Sequence, residues 1–249
     1  MIKFFRRIRQ KLLSENKFSK YLLYAIGEII LVVIGILIAL QINNWNENRK
    51  DRTLEHSTLI EIKNSLELDS KLLKDEIEFQ LDNALVSTQL LNHIRQKKPY
   101  DSKLDVMWER IIRYYFVDFN TSAYTLLESR GIDIIQNETL RRKIVDHYNI
   151  HQRNLERSVD VGEHLSNENL IYFFDRVYPD ITPNFKKTYK IDNEYWTPAD
   201  YQTLLNDSKL IPKISHSIKV RYRFSKLLDE FVKKQEKLIR EIEKELNNK

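Results

Sequence analysis

The feature that most constrains this chain is an apolar segment of 22 residues, from Tyr21 to Ile42. It contains a single charged residue, Glu28, and residues 29–40 are apolar on every face of a helix. As an α-helix the segment would be about 33 Å long, which matches the roughly 30 Å hydrocarbon core of a bilayer. We therefore predict a transmembrane helix over residues 21–42.

Two other interpretations of this segment are a buried core helix and a cleaved signal peptide. The remainder of the chain is too polar to surround a helix that is apolar on all sides, since the mean hydropathy is −0.51 and 31% of residues are charged. A signal peptide would need small residues at a cleavage site after Leu40, where the chain reads QINNWNEN instead. An uncleaved signal anchor fits the pattern better.

The flanking charges predict the orientation of this anchor. Residues 1–20 contain seven Lys and Arg against one acid, Glu15, and the positive-inside rule places such a flank in the cytoplasm. We expect a cytoplasmic basic segment at 1–20 and a periplasmic domain at 43–249, in the inner membrane of a bacterium. The basic cluster can lie on the anionic membrane lipid or serve only to orient the anchor. Its members are Lys3, Arg6, Arg7, Arg9 and Lys11.

The net charge of +5 belongs to the N-terminal segment alone, because residues 43–249 contain 34 basic and 34 acidic residues. A chain with this distribution is not predicted to bind nucleic acid. The absence of cysteine excludes disulfides and thiolate metal sites.

The outer region has a helical pattern almost throughout, with only four glycines and five prolines in the whole chain. We predict an all-α fold: one N-terminal transmembrane helix, then an elongated up-down bundle of about four long helices. Predicted caps are Ser102, Asn137 and Thr197 at helix starts and Gly131 at a helix end. The expected buried stripe of the first outer helix is Leu59, Ile62, Leu66, Leu73, Ile77, Leu81 and Leu85. The expected buried aromatic residues are Trp108, Tyr124, Phe173, Phe224 and Phe231.

Catalytic motifs are scarce: there is no phosphate-binding glycine loop, no GxSxG and no HExxH. The best metal candidate is HYNIH, which puts His147 and His151 on one helix face, but Tyr148 stands where a zinc protease needs glutamate. Two histidines lining a helical bundle are the simpler explanation of the motif. We therefore predict no catalytic, cofactor or metal site and no enzymatic activity, with a hydrolase or metal enzyme left as a remote alternative; the sequence identifies no small-molecule ligand.

Two stretches resemble a domain-of-unknown-function family of small membrane-anchored proteins from Gram-negative bacteria. The first is ENKFSKYLLYAIGEIILVVIGILIALQINNWNENRK, and the second is TSAYTLLESRGIDIIQNETLRRKIVDHY. The resemblance implies an inner-membrane anchor and a helical periplasmic domain. It carries no activity or functional residue over to this chain. Within the second stretch the similarity rests on Ala123, Tyr124, Leu127, Ser129, Gly131, Ile135, Asn137, Leu140 and Tyr148.

Glu28 shares one face of the predicted span with small residues. At 100° per residue, Gly35 and Ala39 each lie about 20° from Glu28 and Val32 about 40° away. Small residues four apart permit close helix approach, and an intramembrane carboxyl can hydrogen-bond a partner helix. We predict that Glu28, Val32, Gly35 and Ala39 form a helix–helix interface, in a homo-oligomer or with another membrane protein.

These observations favour a non-enzymatic inner-membrane protein whose periplasmic bundle acts as a scaffold, a sensor or a partner-binding module. The alternative is a subunit of an oligomeric assembly coupled to ions or protons, with Glu28 as the titrating group.

The predicted topology can be tested with a reporter. A periplasm-dependent reporter fused after Lys249 should be active, and protease added to spheroplasts should digest the chain beyond Trp45. A C-terminal region that stays protected in intact spheroplasts would contradict the orientation.

Overall fold

The computed structural model describes residues 18–101, 103–112, 119–177 and 201–248. Their regular structure is helical, without strands, and the chain divides into two compact units, Met1–His56 and Ser57–Lys249. The α-helices are α1 (Phe18–Arg95), α2 (Lys103–Ile112), α3 (Ser122–Arg130), α4 (Glu138–Asp146), α5 (Arg153–Val177), α6 (Tyr201–Leu205) and α7 (Leu210–Asn247). A 3₁₀ turn covers Ile132–Ile134, and a π-helical turn, called the π turn below, covers His147–Gln152.

The first unit contains the apolar segment. It lies within α1, which among the described residues is the one helix long and apolar enough to cross a membrane. None of the most apolar stretch of α1 is buried inside the protein, whereas the core helix of a soluble protein would be mostly buried. This finding argues against the core-helix interpretation, although a signal sequence near the N-terminus would meet the same criterion.

The second unit is built around the part of α1 that follows residue 56. Three apolar clusters succeed one another along it, containing Leu59, Leu73 and Leu90 in turn. The partners from α4 and α5 follow in the same order, while those from α7 follow in reverse order. The α4–π turn–α5 segment is therefore parallel to α1, and α7 is antiparallel to both.

The number of long helices in the described part differs from the predicted four. Three long helical segments occur in the described part of the second unit: the part of α1 that follows residue 56, the run Glu138–Val177 and α7. The chain returns from the third cluster to the first through the short helices α2 and α3, which contribute Trp108 and Tyr124 to those clusters. Pro99 precedes these two short helices and Gly131 follows them, as expected for residues that bound a helical stretch.

The predicted stripe of α1 is correct at its start and wrong at its end. Leu59, Ile62 and Leu66 are fully buried, but Leu81 is 41% exposed and Leu85 is 54% exposed. Steps of four residues advance 40° around a helix, so a leucine every fourth position leaves the buried face. Gln80, Ala84 and Ser87 occupy that face instead.

The predicted helix ends are partly confirmed. The Asn137 side chain accepts a hydrogen bond from the Leu140 amide (3.1 Å), and Gly131 adopts φ +101°, a conformation that favours glycine. Ser102 and Thr197 lie outside the described residues. The Asp101 carboxylate accepts a bond from the Lys103 amide (2.9 Å) at the start of α2.

The five aromatic side chains predicted to be in the core are all buried. Trp108 packs against Phe173 with ring centroids 6.2 Å apart, and Phe119 packs against Phe231 at 5.5 Å. These contacts confirm the buried faces that spacing predicted for α2, α5 and α7.

Leucine truncation along α1 tests this burial pattern. Leu66→Ala should lower the free energy of unfolding by about 2–5 kcal/mol because it leaves a cavity in a closed core. Leu85→Ala, the matched control, should change it by less than about 0.5 kcal/mol, since Leu85 is already exposed. Urea unfolding followed by circular dichroism in detergent measures both; equal losses would contradict the structure.

Candidate functional site

The residues predicted to form a transmembrane interface all lie in α1. The continuous helix places Glu28, Val32, Gly35 and Ala39 along one side. Val32 is 54% exposed, and a methyl group added at Gly35 would meet no atom within 4 Å apart from its chain neighbours and the adjacent backbone of its own helix. The predicted basic cluster from Lys3 to Lys11 lies outside the described residues.

The π turn is the local irregularity that sequence reasoning missed. It carries the HYNIH motif and interrupts the helical run between α4 and α5 with a wider turn. Such turns often occur at functional sites, because the extra residue re-aims side chains. The apolar spacing did not reveal this turn, because Ile144, Tyr148 and Leu155 are buried at positions that an uninterrupted helix would also bury.

His147 is buried in the π turn, with its ring 5.1 Å from the Phe231 ring and 5.2 Å from the Tyr148 ring. Burial, helped by the nearby His151, lowers the pKa of His147 to about 4. Its imidazole is therefore neutral at pH 7. Among the described residues, no group of three or more His, Asp or Glu side chains is placed to hold a metal ion.

Tyr148 connects the π turn to α3. Its ring stacks on Tyr124 at a centroid distance of 4.2 Å, and the Tyr124 hydroxyl accepts a hydrogen bond from the Asn149 amide (2.7 Å). Burial, followed by the charge of Asp69, raises the pKa of Tyr148. Both phenols therefore remain protonated at neutral pH.

Ser65 and Asp69, one turn apart on α1, hold the segment that leads into α3. The Ser65 hydroxyl donates to the Asn120 carbonyl (2.7 Å), and the Asp69 carboxylate accepts from the Asn120 amide (3.2 Å). The Asn120 side chain in turn accepts a bond from the Ser122 amide (3.2 Å) at the helix start. This polar clasp fixes where α3 begins on α1.

A second polar centre surrounds Arg221 of α7, which is buried. Its guanidinium donates to Gln80 Oε1 (2.5 Å) and to the carbonyl oxygens of Arg110 and Ile111 (3.0 and 3.2 Å) at the end of α2. The Gln80 amide donates to Glu76 (2.6 Å), whose pKa is raised mainly by burial. The guanidinium thereby joins α7, α1 and the negative end of α2.

Both polar centres join helices through hydrogen bonds to backbone groups and neighbouring side chains. A buried polar group is costly unless it is paired, so each centre favours one arrangement of its helices. The available signal in the sequence was a polar pair four residues apart within an apolar stripe, as in Ser65–Asp69 and Glu76–Gln80. Both polar centres have the chemistry of structural contacts, because the groups described above do not assemble an acid, a base and a nucleophile.

The sequence model of a family of unknown function, DUF6090, matches residues 28–170, more than half of the chain. The chain belongs to this family. No curated protein and no solved structure gave a significant match. The matched region contains most of the apolar segment, the Asn120 clasp and the π turn, and it ends before α7 begins.

The buried imidazole predicts a pH dependence of stability. The unfolded chain binds a proton at His147 near pH 6.5, whereas the folded protein binds it only near pH 4, so acidification across this window favours unfolding. Once pH has fallen below the folded-state pKa, protonation of His147 has lowered the free energy of unfolding by about 3 kcal/mol. His147→Phe should flatten the stability decrease between pH 6.5 and 4, measured by urea unfolding. His56→Gln, at an exposed position, should retain the decrease; an unchanged slope in His147→Phe would contradict the assignment.

Proposed function

We propose that this chain is a non-enzymatic, single-pass protein of the bacterial inner membrane. Its N-terminus is cytoplasmic, and residues 43–249 form a periplasmic helical bundle that serves as a scaffold, a sensor or a partner-binding module. One observation carries the proposal: an apolar helical segment with none of its most apolar part buried precedes, along the chain, a unit whose buried charges connect its own helices.

The anchor is supported by exposure as well as by composition. Side chains from Ile29 to Ile42 are exposed on all sides of α1, which is unfavourable in water and favourable in lipid. The seven basic residues before it support a cytoplasmic location for the preceding segment. Membership in the family is consistent with this arrangement but supplies no activity.

The partner-binding role is supported by the small-residue face of the anchor. Close packing of a second helix requires room beside Gly35, and the protein itself leaves that space open. Glu28 lies on the same face, where a carboxyl group hydrogen-bonded to a neighbouring helix fixes its register. The partner is a second copy of this chain or another membrane protein.

A second candidate function is an ion- or proton-coupled assembly, favoured by the position of Glu28 within the apolar segment. A single helix cannot form a conduction path, so this role requires several copies or a channel-forming partner. Glu28→Gln distinguishes the two: it should abolish ion flux in proteoliposomes if the carboxyl titrates, and it should leave a scaffold's partner binding within about twofold.

Cysteine crosslinking tests the proposed interface in this cysteine-free chain. Single cysteines at 28, 32, 35 and 39 should crosslink strongly in native membranes, because they lie on the shared face. Cysteines at Ile30, Val33 and Leu37, on the opposite side, should crosslink at least about fivefold less. Equal yields around the helix would overturn the proposed face.

A further inference from the structure

The outward side of α7 carries a row of exposed cations. At 100° per residue they fall within an arc of about 100° along this 38-residue helix. We call this row the basic ridge; its members are Lys219, Arg223, Lys226, Lys233, Lys237, Arg240 and Lys244.

Glu236 and Glu243 of α7 lie outside the arc of the ridge, whereas Glu241 lies at its edge; all three pair with cations of neighbouring helices. Glu236 pairs with Lys74 (2.6 Å), Glu241 with Lys143 (2.7 Å) and Glu243 with Lys63 (3.2 Å). These acids neutralise cations of α1 and α4. Three acids lie within or beside the arc of the ridge in the described part of α7: Glu230, which is exposed, Glu241, which pairs with Lys143, and Asp229, which pairs with Lys233. The ridge therefore keeps a strong positive charge although the outer region is neutral as a whole.

The outward side of α1 in the same unit has the opposite charge. Its exposed acids form what we call the acidic face, and Lys71 is an exposed cation among them. Leu68 and Leu72, which are 49% and 52% exposed, lie within this face. Two members also have partners in the same copy, since Glu67 contacts Lys63 and Asp82 contacts Arg110. The face consists of Glu61, Glu67, Asp75, Glu78 and Asp82.

We propose that the basic ridge of one copy docks on the acidic face of a second copy. The helices are antiparallel, with Glu61 opposite Arg240, Glu67 opposite Lys237 and Glu78 opposite Lys226. This register is the one that α1 and α7 adopt within a single copy, where Lys74 meets Glu236 and Lys63 meets Glu243. Two copies anchored with the same orientation are related by a rotation axis parallel to these helices. Such a rotation preserves the antiparallel register between α1 of one copy and α7 of the other.

A second copy fits both surfaces at once, because the charges that it needs are present on the chain itself. Exposed ion pairs are individually weak, but confinement in one membrane raises the effective concentration of neighbouring copies. Leu68 and Leu72 offer apolar area to the aliphatic stems of Lys233 and Lys237. The contact joins two different surfaces of the chain. When each copy repeats it with the next, a rotation that closes on itself gives a dimer or a ring. This inference rests on the proposed anchor for its orientation.

The first test uses two tagged populations of the full-length protein, one with Glu78→Cys and one with Lys226→Cys, co-reconstituted in zwitterionic vesicles. Disulfide crosslinks should form between the two populations at 50 mM salt and fall about tenfold at 500 mM. The control pair is Glu78→Cys with Lys244→Cys, which is five turns out of register and should give only background yield.

The second test reverses charge on each surface separately. Lys233→Glu with Lys237→Glu should abolish the 78–226 crosslink, and so should Glu61→Lys with Glu67→Lys. Mixing the reversed ridge in one population with the reversed face in the other should restore it. Arg130→Glu, at an exposed site away from both surfaces, should have no effect.

The outcomes separate this inference from the proposed function. Crosslinks at cysteines 35 and 39 without any salt-sensitive 78–226 crosslink would overturn the inference and leave the anchor intact. Protein released from vesicles by alkaline carbonate would instead overturn the anchor itself. The inference about the ridge would also be overturned if mixing the two charge-reversed populations did not restore the 78–226 crosslink. Capture of an acidic partner or anionic lipid by the ridge in place of the second copy would overturn it as well.

Discussion

The second unit depends on the antiparallel packing of α7 against α5 and against the part of α1 that follows residue 56. Each of the three apolar clusters contains side chains from both α1 and α7, and α2 to α6 complete the clusters from the other sides. Removing apolar surface from water is the main favourable term in folding, and α7 contacts α5 more extensively than any other pair of described helices contact each other. The family match ends before α7, and the matched region therefore buries its apolar face against a helix outside it.

Polar groups inside this framework determine the register of its helices. Arg221 holds α7 to Gln80 and to the end of α2, and the Gln235 amide donates to the Leu66 carbonyl (2.7 Å) on α1. Sliding one helix by a turn would break these bonds and leave buried groups unpaired, at a cost of about 1–3 kcal/mol each. The apolar clusters favour close packing in general, while the polar contacts select one alignment.

The same arrangement separates two kinds of exposed surface. The apolar part of α1 is suited to lipid and to a partner helix, and the outer unit shows opposite charges on α7 and α1. Pairing of Glu236, Glu241 and Glu243 with neighbouring lysines is what leaves the α7 ridge basic. A membrane-anchored scaffold that assembles side by side uses both surfaces, whereas an isolated soluble domain would need neither.

The sequence by itself determined the helical class, the membrane-competent segment, the Asn137 cap, the Gly131 terminus and the buried aromatic residues. Each depends on local composition or on spacing within one helix, which neighbouring residues in the chain suffice to specify. Tertiary structure decided that Leu81 and Leu85 are exposed and that the π turn interrupts the run after α4. It also decided the Arg221 centre and the charge segregation, because these depend on which side chains meet across helices far apart in sequence.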